Sequence, residues 1–350
     1  MAATPVLVQI QSPLPPPRVV GPATKKATRS TNKLPESLID SARVATKEVF
    51  DPNKHLNFQP PKRVTTMKEI GLEGHGISPV AASEPFSLFT PEAIKQIRAE
   101  VFSEPVLTDC QYSSTFAKKY GLGHGRAPFT CDAWSSPELL AKVSEVAGID
   151  LEVSFEYEIA NINISVGDQD TKTEQTDEKP SDDEPPAFAW HYDSFAFVCV
   201  TMLSDCKGMI GGETAIRMPS GEVRNIHGPA MGTAVVMQGR YLEHQALKAL
   251  GGRERISMVT AFRPKSHLVR DEMVLAGSRA ISNWSELYTG YTGYRMELLE
   301  ERLRAKMKEE IQRERSNRPF DIPGMKRFVE EQKALLEVTI EELIEVEDMD

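Results

Sequence analysis

Three short phrases within residues 190–260 have residue types that could do chemistry: His191-Tyr192-Asp193, His244 and Arg255-Ile256-Ser257. In a strand, alternate side chains point the same way, so His191 and Asp193 would project side by side from one face. With a second imidazole arriving from elsewhere, they make a set that suits a divalent first-row metal and leaves coordination positions open. Arg255 and Ser257 share a face by the same alternation. A guanidinium fork beside a hydroxyl can grip a carboxylate at two points, which a lysine does less rigidly. His227 competes with His244 for the third ligand position, but it falls in a Gly-Pro turn, whereas His244 follows a strand and comes shortly before Arg255. Arg253 and Arg263 compete with Arg255, and Ser257 at the next same-face position favours Arg255.

The ordered set His191-x-Asp193, His244, Arg255-x-Ser257 resembles the 2-oxoglutarate/Fe(II)-dependent dioxygenases. Gly211-Gly212-Glu213-Thr214 is most similar to the prolyl-hydroxylase-type branch and its fungal relatives. The resemblance covers residues 151–264. It implies a double-stranded β-helix, a jelly roll, with Fe(II) on His191, Asp193 and His244, and O2 and 2-oxoglutarate as co-reactants. Arg255 and Ser257 would hold the distal carboxylate of the cosubstrate. Tyr157 and Asn163, on a preceding strand, would be further cosubstrate contacts. The implied reaction oxidises a C–H bond of a small organic substrate, with a specialised metabolite favoured over a protein side chain, and yields succinate and carbon dioxide. Two other readings remain open at this point: a cupin-like metalloenzyme that does not use 2-oxoglutarate, and a non-catalytic binding protein on the same fold. The chain has no recognisable Ser-His-Asp or Cys-His arrangement.

These phrases need elements to hold them. A run over 151–165 has strand character, with Ile162 and Ile164 on a core face and Tyr157, Asn161 and Asn163 on the other. Strand-like runs at 195–203, 213–218, 222–226, 232–238 and 256–262, separated by turns such as Pro219-Ser220-Gly221, indicate a sandwich or barrel rather than a parallel α/β sheet. The fold class expected is mainly β with flanking helices, plus a C-terminal helical appendage. Upstream, Thr90-Pro91 and Ser136-Pro137 start two amphipathic helices, the second stopping at Gly148. Residues 36–150 read as a helical region packed on the core, 151–265 as the core itself, and 266–350 as a charged helical extension without chemistry of its own. Pro319 and Pro323 should interrupt that extension, with a last helix from about Met325.

Residues 1–35, proline-rich and then basic, lack periodicity and read as a disordered tail. Residues 167–186 carry eight Asp or Glu against Lys172 and Lys179 and read as a solvated acidic loop entering the His191 strand, or a lid over the pocket. The net charge of -10 argues against nucleic-acid partners, because phosphate contacts need a basic surface. No apolar run reaches membrane-spanning length and no secretory signal is visible. The four cysteines form no CxxC pair and fit a reducing compartment, so a cytoplasmic location is expected. The narrow apolar stripes of the terminal helices could also serve homo-oligomer formation.

Overall fold

The computed structural model describes residues 15–21, 28–29, 34–113, 118–120, 125–166, 189–205, 210–226, 230–247, 249–250 and 254–345. The chain passes repeatedly between two antiparallel sheets. Strands Asn161–Val166, Phe197–Met202, Thr233–Met237 and Glu254–Pro264 belong to the large sheet, in the spatial order 161–166, 254–264, 197–202, 233–237. Strands Thr214–Arg217, Val223–Ile226 and Glu243–Ala246 form a smaller sheet, which an isolated bridge between His191 and His244 extends by one position. In chain order the path runs large, small (His191), large, small, small, large, small, large. This alternation makes the core a jelly roll.

Period-two alternation decides what faces the interior. On the outer face of the large sheet, Ile162, Phe197, Cys199, Val236, Met258 and Phe262 are buried in one apolar cluster with Ile94, Ile97, Trp134 and Leu139 of the upstream helices. Two of those helices, Pro91–Val101 and Pro137–Ala147, start where the sequence signals lie; Trp134 belongs to a third, Pro128–Ser135. Thr90 Oγ1 accepts from Ala93 N at 3.2 Å, and Ser136 Oγ accepts from Leu139 N at 3.3 Å. Gly148 closes the second helix at φ 68°, a conformation disfavoured for residues with a side chain. Among the described residues no helix is long and apolar enough to cross a membrane.

Five sequence expectations are corrected. Residues 36–150 are not helical alone: Val80–Ser83 and Phe86–Ser87 pair with Thr233–Met237, and Val64–Thr66 pairs with Val80–Ser83, all as strands of the large sheet. The run over 151–165 is not one strand: it divides into Leu151–Val153, a 3-10 turn Glu156–Glu158 and Asn161–Val166. Phe155 and Tyr157 are drawn out of the sheet to pack with Leu287, Tyr291 and Tyr294 of the terminal helix, and burial of these rings outweighs strand continuation. Pro323 does not interrupt the last helix. It lies in the first turn of Ile322–Glu342, where its missing N–H has no partner to lose. The expected tail is packed at residues 15–21: Val19 is buried, and the Arg240 guanidinium donates to Pro17 O. An apolar contact and a satisfied buried arginine together order this stretch. The C-terminal extension is not merely appended, since Gly277, Ser278 and Ile281 stand in the wall of the central cavity. Residues 167–186, His227 and Arg253 lie outside the described residues.

Candidate metal centre and cavity

His191 and His244 face each other across the bridge that extends the small sheet. Each backbone N–H donates to the other's carbonyl at 2.9 Å, and the imidazole centroids are 4.3 Å apart. The Nδ1 atom of each ring points at a carbonyl two residues back, Ala189 O at 2.8 Å and Leu242 O at 2.9 Å. A carbonyl can only accept, so Nδ1 carries the proton and Nε2 is left with its lone pair. Both Nε2 atoms point at Asp193, at 3.6 Å from Oδ1 for His191 and from Oδ2 for His244.

Ligand atoms in adjacent positions on one first-row ion, each bonded at about 2.1 Å, lie roughly 3 Å apart. The three candidate ligand atoms all lie within 4.8 Å of one another, so a small inward movement would bring them onto one ion. Asp193 Oδ2 is buried without a hydrogen-bond partner, an unfavourable state for a carboxylate that a bound cation would relieve. The chain makes room for that oxygen. Gly239 accepts a hydrogen bond from Asp193 N at 2.9 Å, and a Cβ on Gly239 would lie 1.8 Å from Oδ2. The three side chains form one candidate site for a divalent ion.

The charges suit such an ion. Burial would raise the Asp193 carboxyl, but His244, His191 and Arg240 outweigh it and hold the group below its ordinary value. Burial lowers His244, and the neighbouring His191 lowers it further against the pull of Asp193. Burial also works against the charged form of His191, yet Asp193 more than offsets it and the imidazole is raised. A second proton, on His191 Nε2, would compete with the cation, so affinity falls as pH drops through the titration of this imidazole.

Arg255 and Ser257 stand in the same cavity of about 200 Å³ as the three candidate ligands, together with Asn163 and Thr214. Their strand pairs in register with the one before it, Ser257 opposite Asn163 and Arg255 opposite Ser165. Arg255 is buried, with Nη1 at 3.4 Å from Ser257 Oγ and Nη2 at 3.4 Å from Gly212 O. Those are long contacts for a guanidinium. The rest of the wall is mostly apolar and includes Phe195, Val198, Val200, Met237 and Val259.

Tyr157 is placed elsewhere. It does not line the cavity, and its hydroxyl accepts from Asn283 N at 2.7 Å at the start of the Trp284–Arg315 helix. Sequence reasoning missed Gly239, Glu158, Val20 and the 277–281 segment. No spacing signal marks Gly239, whose importance lies in its approach to a residue far back in the chain. Asn161 had been placed on the correct face but given no role.

No family model and no curated protein matches the sequence. Weak likenesses to solved structures exist. An oxidoreductase of the 2OG-Fe(II) oxygenase family from Burkholderia pseudomallei is 16% identical, the match covering 42% of this chain and 60% of that one at a TM-score of 0.29. The chain thus spans about three fifths of that relative's length. A prolyl-4-hydroxylase from Pseudomonas putida is 16% identical over 53% of this chain and 94% of its own, with a TM-score of 0.35. HygX from Streptomyces hygroscopicus, solved with nickel, 2-oxoglutarate and hygromycin B bound, is 13% identical over 51% of this chain and 80% of its own, with a TM-score of 0.33. At this level of similarity the chemistry has to be read from the site itself.

Proposed function

We propose that the protein is an Fe(II)- and 2-oxoglutarate-dependent dioxygenase that oxidises a C–H bond of a small organic substrate and releases succinate and carbon dioxide. One observation carries this reading: two imidazole nitrogens and a carboxylate with a bare buried oxygen converge in the same cavity as a buried Arg-x-Ser pair. A cupin-like centre without a diacid cosubstrate does not account for a buried Arg-x-Ser pair in the metal cavity, and a binding scaffold has no use for three converging ligands. The bound ion and its cosubstrate would supply the oxidising chemistry, so no protein acid–base pair is required.

The chain's own part is to bind, orient and exclude water. His191, Asp193 and His244 would hold the ion, with the carbonyls of Ala189 and Leu242 fixing both ring orientations. Arg255 would pair with the distal carboxylate of 2-oxoglutarate, and Ser257 and Asn163 would add donors from the same row of the sheet. Burial of Arg255 strengthens that pairing and favours a diacid over a monoacid. The apolar wall keeps bulk water from the reacting centre. With Fe(II) and 2-oxoglutarate under air, the wild-type protein should release succinate and Asp193→Ala should not. Near-normal succinate release by the variant would defeat the assignment.

A further inference from the structure

The cavity has a second polar end that the cosubstrate does not require. Asn161 and Glu158 line it, are 7% and 1% exposed, and stand at the turn that breaks the 151–166 run. Asn161 Nδ2 donates to Glu158 Oε2 at 2.6 Å. That bond fixes the amide, because a flipped Asn161 would set its carbonyl oxygen against a carboxylate. Asn161 Oδ1 is therefore the acceptor left over, on a side chain that lines the cavity, and it is buried without a hydrogen-bond partner. The backbone is set to make this arrangement. Ala160, between the two residues, has φ 56°, which a residue with a Cβ rarely adopts, and its N–H donates to Thr260 Oγ1 at 3.0 Å.

Position separates this end from the Arg255 end. Asn161 pairs with Val259, whereas Arg255 pairs with Ser165. Four residues of strand, roughly 13 Å, lie between the two rows, more than the length of an extended 2-oxoglutarate. A carboxylate also cannot accept a hydrogen bond from Oδ1, so the cosubstrate is the wrong chemistry for this atom.

We propose that Asn161, oriented by Glu158, is a specificity-determining acceptor for the primary substrate, which is a largely apolar molecule bearing an amine or hydroxyl donor rather than an acid. The identity of the second ligand as primary substrate rests on the oxygenase reading; the preference for donors at Asn161 does not. The apolar side chains Val198, Val200 and Val259 would contact the body of the molecule.

The test compares hexylamine, hexan-1-ol and hexanoate binding to the zinc-loaded protein, followed by protein-detected NMR titration. It is run with saturating 2-oxoglutarate and again in Arg255→Ala protein without it, so that no anion can use Arg255 in either arm. Hexylamine and hexan-1-ol are both expected to bind, with hexanoate at least about tenfold weaker than either. Asn161→Leu should weaken both donors about tenfold, while Glu158→Gln, which keeps an acceptor for Asn161 Nδ2, should leave the order of the three unchanged. Equal or tighter binding of hexanoate in wild type overturns the proposal, and this comparison needs no variant to fold. So does weaker binding of 2-oxoglutarate by Asn161→Leu, which would return Asn161 to the cosubstrate. Failure of 2-oxoglutarate to bind the wild type would sink the oxygenase reading instead, and the Arg255→Ala arm would still decide the role of Asn161.

Discussion

Two buried arginines divide the molecule. Arg295, in the Trp284–Arg315 helix, is 1% exposed and bonded through all three nitrogens: Nε donates to Thr339 Oγ1 at 2.9 Å, Nη1 to Asp271 Oδ2 at 2.7 Å and Nη2 to Leu335 O at 3.1 Å. Arg255, in the jelly roll, is 7% exposed, and its contacts to Ser257 and Gly212 are both stretched to 3.4 Å. The carboxylates divide the same way. Asp271 receives Arg295 and the Tyr294 hydroxyl, whereas Asp193 keeps Oδ2 without a hydrogen bond. Burial alone does not mark function. A buried charge with short bonds to several elements ties those elements together, and a buried carboxylate with one oxygen left bare is poised for a cation.

Breaking the Arg295–Asp271 pair should have the largest effect. Arg295→Met leaves Asp271 buried beside Tyr294 without its cation and should cost about 3–5 kcal/mol of stability, read as a lowered urea midpoint. An unchanged midpoint would end the contrast. Arg255→Ala should do the opposite: a midpoint within about 1 kcal/mol of wild type, with 2-oxoglutarate affinity down about a hundredfold, as expected for loss of a charged hydrogen-bonding partner. If that variant unfolds instead, Arg255 is a structural residue like Arg295. Gly239→Ala should leave the fold intact but displace Asp193, weakening metal binding by on the order of a hundredfold; equilibrium dialysis against zinc would reveal it, and unaltered affinity would show that the carboxylate does not need that space.

The smallest effect concerns Glu272, next to the peptide that ties down Arg240. Burial pushes its carboxyl up to about 7 from an ordinary 4.5, against the pull of Arg240. The folded protein therefore binds this proton more tightly than the unfolded chain does. Its contribution makes stability fall as pH rises from about 4.5 to about 7 and is flat above that range. Glu272→Gln should remove this slope, although it also removes the ion pair between Oε1 and Arg270 Nε at 2.8 Å. Parallel pH profiles of the urea midpoint for the two proteins would contradict it.

Much of the β-core was legible because its signals are local. Alternation placed Ile162 on the helix-facing side and Asn163 on the cavity side, and the caps at Thr90 and Ser136 announced their helices. His191-x-Asp193 could be read as a shared face for the same reason, a two-residue interval in extended chain. Tyr157 shows the limit. Alternation put it beside Asn161, but packing against the terminal helix curled residues 156–158 into a 3-10 turn and sent its hydroxyl to Asn283.

The sequence by itself determined the kinds of ligand, their order and the strands that carry them, since residue type and a period of two are properties of neighbours along the chain. Tertiary structure alone decided that His191 and His244 meet across a bridge and that Gly239 makes room for the Asp193 oxygen. It also decided that Asn161, Gly277, Ser278 and Ile281 line the cavity. Those contacts join positions tens to more than a hundred residues apart, and only packing of the two sheets and the terminal helices sets such distances.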